Sequence, residues 1–222
     1  MRQSINEKIP LFNPTSPISE SYRTLRTNIQ FSSIEHQMKV LMVTSATRGE
    51  GRTTTVGNLA IAYAKEGKKV LLIDADSKNP TLHQVFTMAN RVGLSSVLAG
   101  QNNWREVVKE TNVQRLSLIT SGPDSLEMLG SDMMRDLLIE WREQYDIILF
   151  DTPPVLAATD GLVVSTICDG VVMVVIAGKV DRELVKKAKV SLEHVNARLI
   201  GVVFNQINRK NVKAKLHYTY GK

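Results

Sequence analysis

The chain contains one cysteine, Cys168, set in an apolar stretch. A disulfide framework is therefore excluded, and the thiol reads as a buried side chain of a protein kept in a reducing compartment. No apolar run approaches the length that spans a bilayer. Residues Met1-Arg2-Gln3-Ser4 begin no signal peptide. The expected location is cytoplasmic. There is no internal repeat and no low-complexity linker, so the expected organisation is one domain at 37–208, preceded by an extension at 1–36 and followed by a tail at 209–222. That tail lacks acid. It carries Arg209, Lys210, Lys213, Lys215 and Lys222, and without them 23 basic residues face 22 acidic ones. The net charge of +6 thus belongs to the tail, and the body is nearly neutral. Such a tail contacts phospholipid, nucleic acid or an acidic protein surface, or only solubilises the chain.

What is present fits one α/β domain. The 222 residues, 43% hydrophobic and 23% charged, suffice for a substantial core. Six apolar, β-branched runs occupy 40–44, 70–73, 116–119, 147–150, 171–176 and 199–204. They are mostly continuous rather than alternating, the pattern of strands buried on both faces of a parallel sheet. Helical spacings lie between them: Val56, Leu59, Ala60 and Tyr63; Met133, Met134, Leu137, Leu138 and Trp141; Leu184, Val185, Ala188, Leu192 and Val195. Alternating strands and helices predict an open, mostly parallel sheet with helices on both faces. The extension carries a helix of its own, with Ser16 as N-cap and Pro17 in the first turn. Its apolar stripe is Ile18, Tyr22, Leu25 and Ile29. Glu20, Arg23 and Arg26 flank that stripe in a row, where spacing alone describes a solvated charged face.

Residues 44–55 read Thr-Ser-Ala-Thr-Arg-Gly-Glu-Gly-Arg-Thr-Thr-Thr. This is a phosphate-cradling loop between a strand and a helix, with Arg52 where lysine is expected. Gly49 and Gly51 let backbone amides approach phosphate oxygens, and the helix that follows points its positive end at the same anion. The candidate nucleotide contacts are Arg48, Gly49, Glu50, Gly51, Arg52, Thr53 and Thr54. Thr53 places a hydroxyl where such loops hold Mg²⁺. Asp74 and Asp76 follow the second strand run and Asp151 ends the fourth, at the strand ends where parallel sheets bind ligands. A carboxylate there holds Mg²⁺ or accepts a hydroxyl proton. Asn205 ends the last run and either reads a nucleotide base edge or caps a turn. Tyr218 and Tyr220 stand in the polar basic end with accessible hydroxyls.

Together these residues resemble the bacterial tyrosine kinases of capsule and exopolysaccharide synthesis. The likeness runs from about Ser16 to the C-terminus. It rests on Glu20-Ser-Tyr-Arg23-Thr-Leu-Arg26, the loop at 49–54, Asp74-Ala-Asp76 with Pro80, Asp151-Thr-Pro-Pro154, Thr159-Asp160 and the tyrosine-bearing end. The resemblance implies ATP-dependent phosphorylation of protein tyrosine. Arg52, Asp74 and Asp76 would be the catalytic set, Mg²⁺ would be held by Thr53, Asp74 and Asp151, and Asp74 or Asp76 would deprotonate the phenol. Tyr218 and Tyr220 would be phosphorylated by a neighbouring subunit in a ring joined through Glu20, Arg23 and Arg26. A membrane protein's cytosolic tail would activate the kinase and recruit it to the inner face of the plasma membrane. Protein-tyrosine substrates and a phosphotyrosine phosphatase complete the implied partners, with no specific nucleic acid. The chain departs from the family pattern at Arg48 for proline, Lys78 for arginine, two separated tyrosines for a longer cluster, and Arg52 for lysine. A displaced donor at a phosphoryl transition state costs about 2.7–4 kcal/mol, roughly 10²–10³ in rate. A nucleotide-gated scaffold without transfer and a partitioning-type ATPase are the alternatives.

Overall fold

The structure is a computed structural model and describes residues 17–32 and 38–207. In chain order its elements are α1 (Pro17–Phe31), β1 (Val40–Ser45), α2 (Arg52–Lys65), β2 (Val70–Asp74), α3 (Leu82–Val85), α4 (Leu94–Leu98), α5 (Trp104–Val107), β3 (Lys109–Glu110), β4 (Leu116–Ile119), α6 (Asp132–Gln144), β5 (Ile147–Asp151), α7 (Asp160–Ser165), β6 (Gly170–Ile176), α8 (Arg182–His194) and β7 (Leu199–Asn205). The seven strands form one sheet in the order β3-β4-β2-β5-β1-β6-β7. Every pairing is parallel except that of β3 with β4. The six apolar runs become the six parallel strands.

Alternation along buried strands sends residues to two cores. In β1, Val40 and Met42 face a layer built on Trp104, Met134, Trp141, Val164 and Leu192. Leu41 and Val43 face the other layer, built on α2 with Ile29 of α1 and Leu82 of α3. Helix α2 is buried almost throughout, because α1 covers the side turned away from the sheet. Of the α1 stripe, Tyr22, Leu25 and Ile29 make that contact, whereas Ile18, read as its first member, is 47% exposed ahead of it; each fully buried large apolar side chain contributes about 1.5–3 kcal/mol. Burial raises the Tyr22 phenol, opposed by its hydrogen bonds with Thr55 and Asn58 of α2.

Helices α6 and α8 start where side chains satisfy free amides: Ser131 Oγ accepts from Met134 N, and Asp181 accepts from Glu183 N. Other sequence readings need correction. Met133 does not join the core; it is 41% exposed on the outer side of α6, while its neighbour Met134 is buried. Strand β7 is not covered on both faces, because it is an edge, and its Phe204 is 60% exposed. β3 and the short helices α3, α4, α5 and α7 carry no periodicity long enough to read. Cys168, read as buried, is free and only half-buried.

The sheet order sets the site. β5 lies between β1 and β2, with Val43 paired to Asp151 and Asp151 paired to Asp74. The segments leaving the carboxyl ends of β1, β2 and β5 are therefore neighbours, as ligand sites of parallel sheets require.

Candidate active site

The loop from β1 to α2 turns at Gly49 (φ 80°) and Gly51 (φ 92°), both in the left-handed region that favours glycine. Gly51 is the residue before the first turn of α2. A Cβ there would lie 2.2 Å from Asn205 Nδ2, so a side chain would displace the Asn205 amide from Glu50 O as well. Glu50 does not project into the phosphate space. Its buried carboxylate accepts from Thr47 N (2.6 Å), Thr47 Oγ1 (2.9 Å) and the Ile176 amide of β6 (3.3 Å). Asn205 Nδ2 donates to Glu50 O (3.0 Å), and Asn205 Oδ1 accepts from Gln206 N (2.8 Å). Asn205 thus has the backbone-capping use, at the loop rather than at a turn alone. Thr54 lies in the first turn of α2, where its carbonyl accepts from Asn58 Nδ2.

Arg52 is buried and turns beneath the loop. Nε donates to Thr152 O (2.8 Å), Nη1 to Ser45 Oγ (2.8 Å) and Thr47 O (3.2 Å), and Nη2 to Asp76 Oδ2 (3.3 Å). Lysine has one compact head at this position; the longer planar fork reaches the second aspartate motif and pairs with it.

The three carboxylates differ in surroundings. Asp74 is fully buried, with Oδ1 accepting from Asp76 N and Oδ2 from the amides of Thr81 and Leu82. Burial holds its pKa well above the usual carboxylate range, and the Asp151 charge adds to that. Burial also pushes Asp151 up to about 7, against the Thr53 hydrogen bond and the Arg52 charge. Burial raises Asp76, opposed by the Asn79 amide and by Arg52. Thr53 Oγ1 donates to Asp151 Oδ2 (2.6 Å) and lies 2.9 Å from Thr81 Oγ1. Asp151 Oδ1 is buried and has no hydrogen-bond partner. A free carboxylate oxygen beside a threonine hydroxyl at the mouth of a phosphate loop is a hard-oxygen donor set, which fits Mg²⁺ completed by phosphate and water. Among the described residues, no group of three or more His, Cys, Asp or Glu forms a metal cage of its own.

A cleft of about 150 Å³ opens beside these groups, lined by the loop residues Arg48 and Gly49, by Asp76 and Lys78, and by Pro153 and Pro154. The structure therefore gathers Arg48, Gly49, Glu50, Gly51, Arg52, Thr53, Thr54, Asp74, Asp76, Asp151 and Asn205 at one end of the sheet. Glu20, Arg23 and Arg26 lie elsewhere on α1. Glu20 pairs with Arg23 (2.5 Å), while Arg26 reaches Glu66 (3.2 Å) and Ala62 O (3.2 Å) of the α2 end. Tyr218 and Tyr220 lie outside the described residues. The sequence reading misses Ser45, Thr47, Thr81 and Thr152, which hold Arg52, Glu50, Thr53 and Asp74 in place. Only Thr81, directly after Pro80 in the second motif, stands near a signal.

Comparison with known proteins agrees with this geometry. The model of the AAA domain family matches residues 38–199. Tyrosine-protein kinase YwqD of Bacillus subtilis (strain 168) is 43% identical over 216 residues, covering 96% of this chain and 89% of that protein. The crystal structure of the chimerical protein CapA2B2 superposes with a TM-score of 0.86 at 34% identity, covering 90% of each chain. The kinase domain of the Escherichia coli tyrosine kinase ETK gives 0.84 at 32% identity, covering 90% of this chain and 82% of that one. A phosphate loop staked to β6 and β7, aspartates at the ends of β2 and β5, and likeness along nearly the whole chain lead to one assignment: the chain belongs to the bacterial tyrosine-protein kinases.

Proposed function

We propose that this protein transfers the γ-phosphate of ATP to protein tyrosines, its own Tyr218 and Tyr220 among them, and that it regulates the synthesis and export of a capsular or extracellular polysaccharide. The observation that carries the reading is that Asp76 lines the same cleft as the phosphate loop. The amides of the loop and the N-terminal end of α2 bind the phosphates. Thr53, with Asp151 and Asp74 around it, holds Mg²⁺, which when bound neutralises phosphate charge. An acceptor phenol gives its proton to the Asp76 carboxylate as its oxygen bonds to the γ-phosphorus. The bond from that phosphorus to the bridging oxygen breaks, and ADP leaves with the electron pair. Asp76 is favoured over Asp74 as the base because Asp74 is enclosed by three backbone amides.

The partners follow from the same reading. Subunits assemble into a ring through Glu20, Arg23 and Arg26, and the tail of one subunit enters the site of the next. A membrane protein's cytosolic tail activates the enzyme and brings it to the inner face of the plasma membrane, and a phosphatase resets it. No helix among the described residues is long and apolar enough to cross a membrane.

One observation favours a second reading. Arg52 already donates to Thr152, Ser45, Thr47 and Asp76, so loop amides alone would hold the phosphates. That describes a nucleotide-gated scaffold. Phosphotyrosine detection after incubation with Mg-ATP, on wild type, Arg52→Lys and Asp76→Asn, each with and without a candidate activator tail, separates the two. Label at Tyr218 or Tyr220 in wild type and its loss in Asp76→Asn support the kinase. Nucleotide-dependent oligomer size without label, and label only in Arg52→Lys, support the scaffold.

A further inference from the structure

The cleft beside the phosphate loop carries a charge pattern that transfer itself does not require. Four charged side chains line it: Arg48, Arg52, Asp76 and Lys78. Arg52 and Asp76 are buried and paired with each other at 3.3 Å. Arg48 and Lys78 are exposed at the mouth, and neither forms a salt bridge among the described residues. One wall is different in kind. Pro153 and Pro154 are buried and present flat apolar surface beside Asp76. A flat wall, the Asp76 carboxylate and two exposed cations held by no salt bridge, of which Arg48 also lowers the Asp76 carboxyl, are complementary to an aromatic ring whose hydroxyl points inward and whose neighbouring residues are negative.

We infer that Arg48 and Lys78 select among acceptors from other proteins: of these, the cleft favours a tyrosine flanked by aspartate or glutamate. The inference rests on the kinase reading and adds to it the class of substrate. Rim charge does not favour the chain's own tail, since 209–222 contains five Lys or Arg and no acid; its entry from a neighbouring subunit rests on tethering within the ring. The rim lies in solvent, so selection is modest and sensitive to salt.

The test uses the full chain and two synthetic peptides that differ only in glutamate or alanine on both sides of one tyrosine. Binding is read by fluorescence anisotropy with Mg-ADP present, and transfer is read as kcat/KM with Mg-ATP. Wild type is expected to favour the glutamate peptide about five-fold at low salt, near the upper end for exposed pairs, with the preference fading at high salt. Lys78→Glu removes or inverts the preference and Lys78→Arg keeps it. Lys187→Glu, an equal change of charge on exposed α8, also keeps it. Equal binding of both peptides by wild type overturns the inference. So does a uniform loss for both peptides in Lys78→Glu, which assigns Lys78 to the nucleotide. Preferential binding without any phosphotyrosine upholds the selection and refutes the kinase reading. Phosphotyrosine without preference does the reverse.

Discussion

Arg52 and Asp76 come from segments 24 residues apart and meet only in the folded protein, so their pairing can be tested without any assay of transfer. Consider Arg52→Met, Asp76→Asn and the double variant, unfolded in urea at pH 8 without nucleotide or divalent cation. Both side chains are more than nine-tenths buried, so solvent screens the pair little. Removing one partner of a buried ion pair costs about 3 kcal/mol, at the low end because Asp76 keeps the Asn79 amide. Arg52→Met also leaves the buried Thr152 carbonyl without its donor, about 1 kcal/mol more. The expected loss is thus ~4 kcal/mol for Arg52→Met and ~2 kcal/mol for Asp76→Asn, where the guanidinium still feels Asp151. In the double variant neither charge remains, and the expected loss is about 4 kcal/mol rather than the sum of about 6, a coupling of about 2 kcal/mol. Additivity within about 0.5 kcal/mol refutes the pairing and with it the placement of Arg52 beneath the loop.

Other outcomes follow from the same site. Gly51→Ala forces a Cβ onto Asn205 at positive φ and is expected to lower ADP affinity by about five- to thirty-fold, as a left-handed penalty of about 1–2 kcal/mol alone implies; a calorimetric titration measures it, and unchanged affinity counts against the loop geometry. Asn205→Ala removes the donor to Glu50 O and is expected to weaken ADP binding by a smaller factor, about five-fold for one hydrogen bond of about 1 kcal/mol. In cation-free protein, Asp151 titrates near 7 folded against 3.8 as its ordinary value. The folded state therefore holds a proton that the unfolded state has released between those limits. This group's contribution to stability falls as pH rises from about 4 to about 7, and urea midpoints of Asp151→Asn show a shallower fall, the remainder coming from Asp74 and Asp76, which burial also raises. Mg²⁺ with ADP is expected to release protons on binding, seen as a buffer-dependent enthalpy.

The sheet was legible because strands covered on both faces need continuous apolar runs, and 70–73 and 147–150 have them. The missed strand β3 is two residues long and held by its partner β4, so no pattern of its own announces it. The exposed face of β7 was unreadable for a topological reason: Leu199–Asn205 looks like any central strand until the sheet order makes it an edge. At the site, the loop and the aspartates were visible because glycine and strand-end acid are local signals. The course of Arg52 was not, since its acceptors include a carbonyl 100 residues further along the chain. Glu50 was readable as part of the loop, yet its direction was not, because besides the local Thr47 donors its second oxygen is held by an amide of distant β6.

The staking of Glu50 has a further consequence for observing this protein. Its carboxylate binds the Ile176 amide at the end of β6, so that amide's exchange with solvent depends on whether the loop is seated. Hydrogen exchange at Ile176 is thereby an intrinsic gauge of loop closure, readable through the peptide that contains it and requiring neither a label nor turnover. Nucleotides and activator peptides can be ranked by how far each slows it.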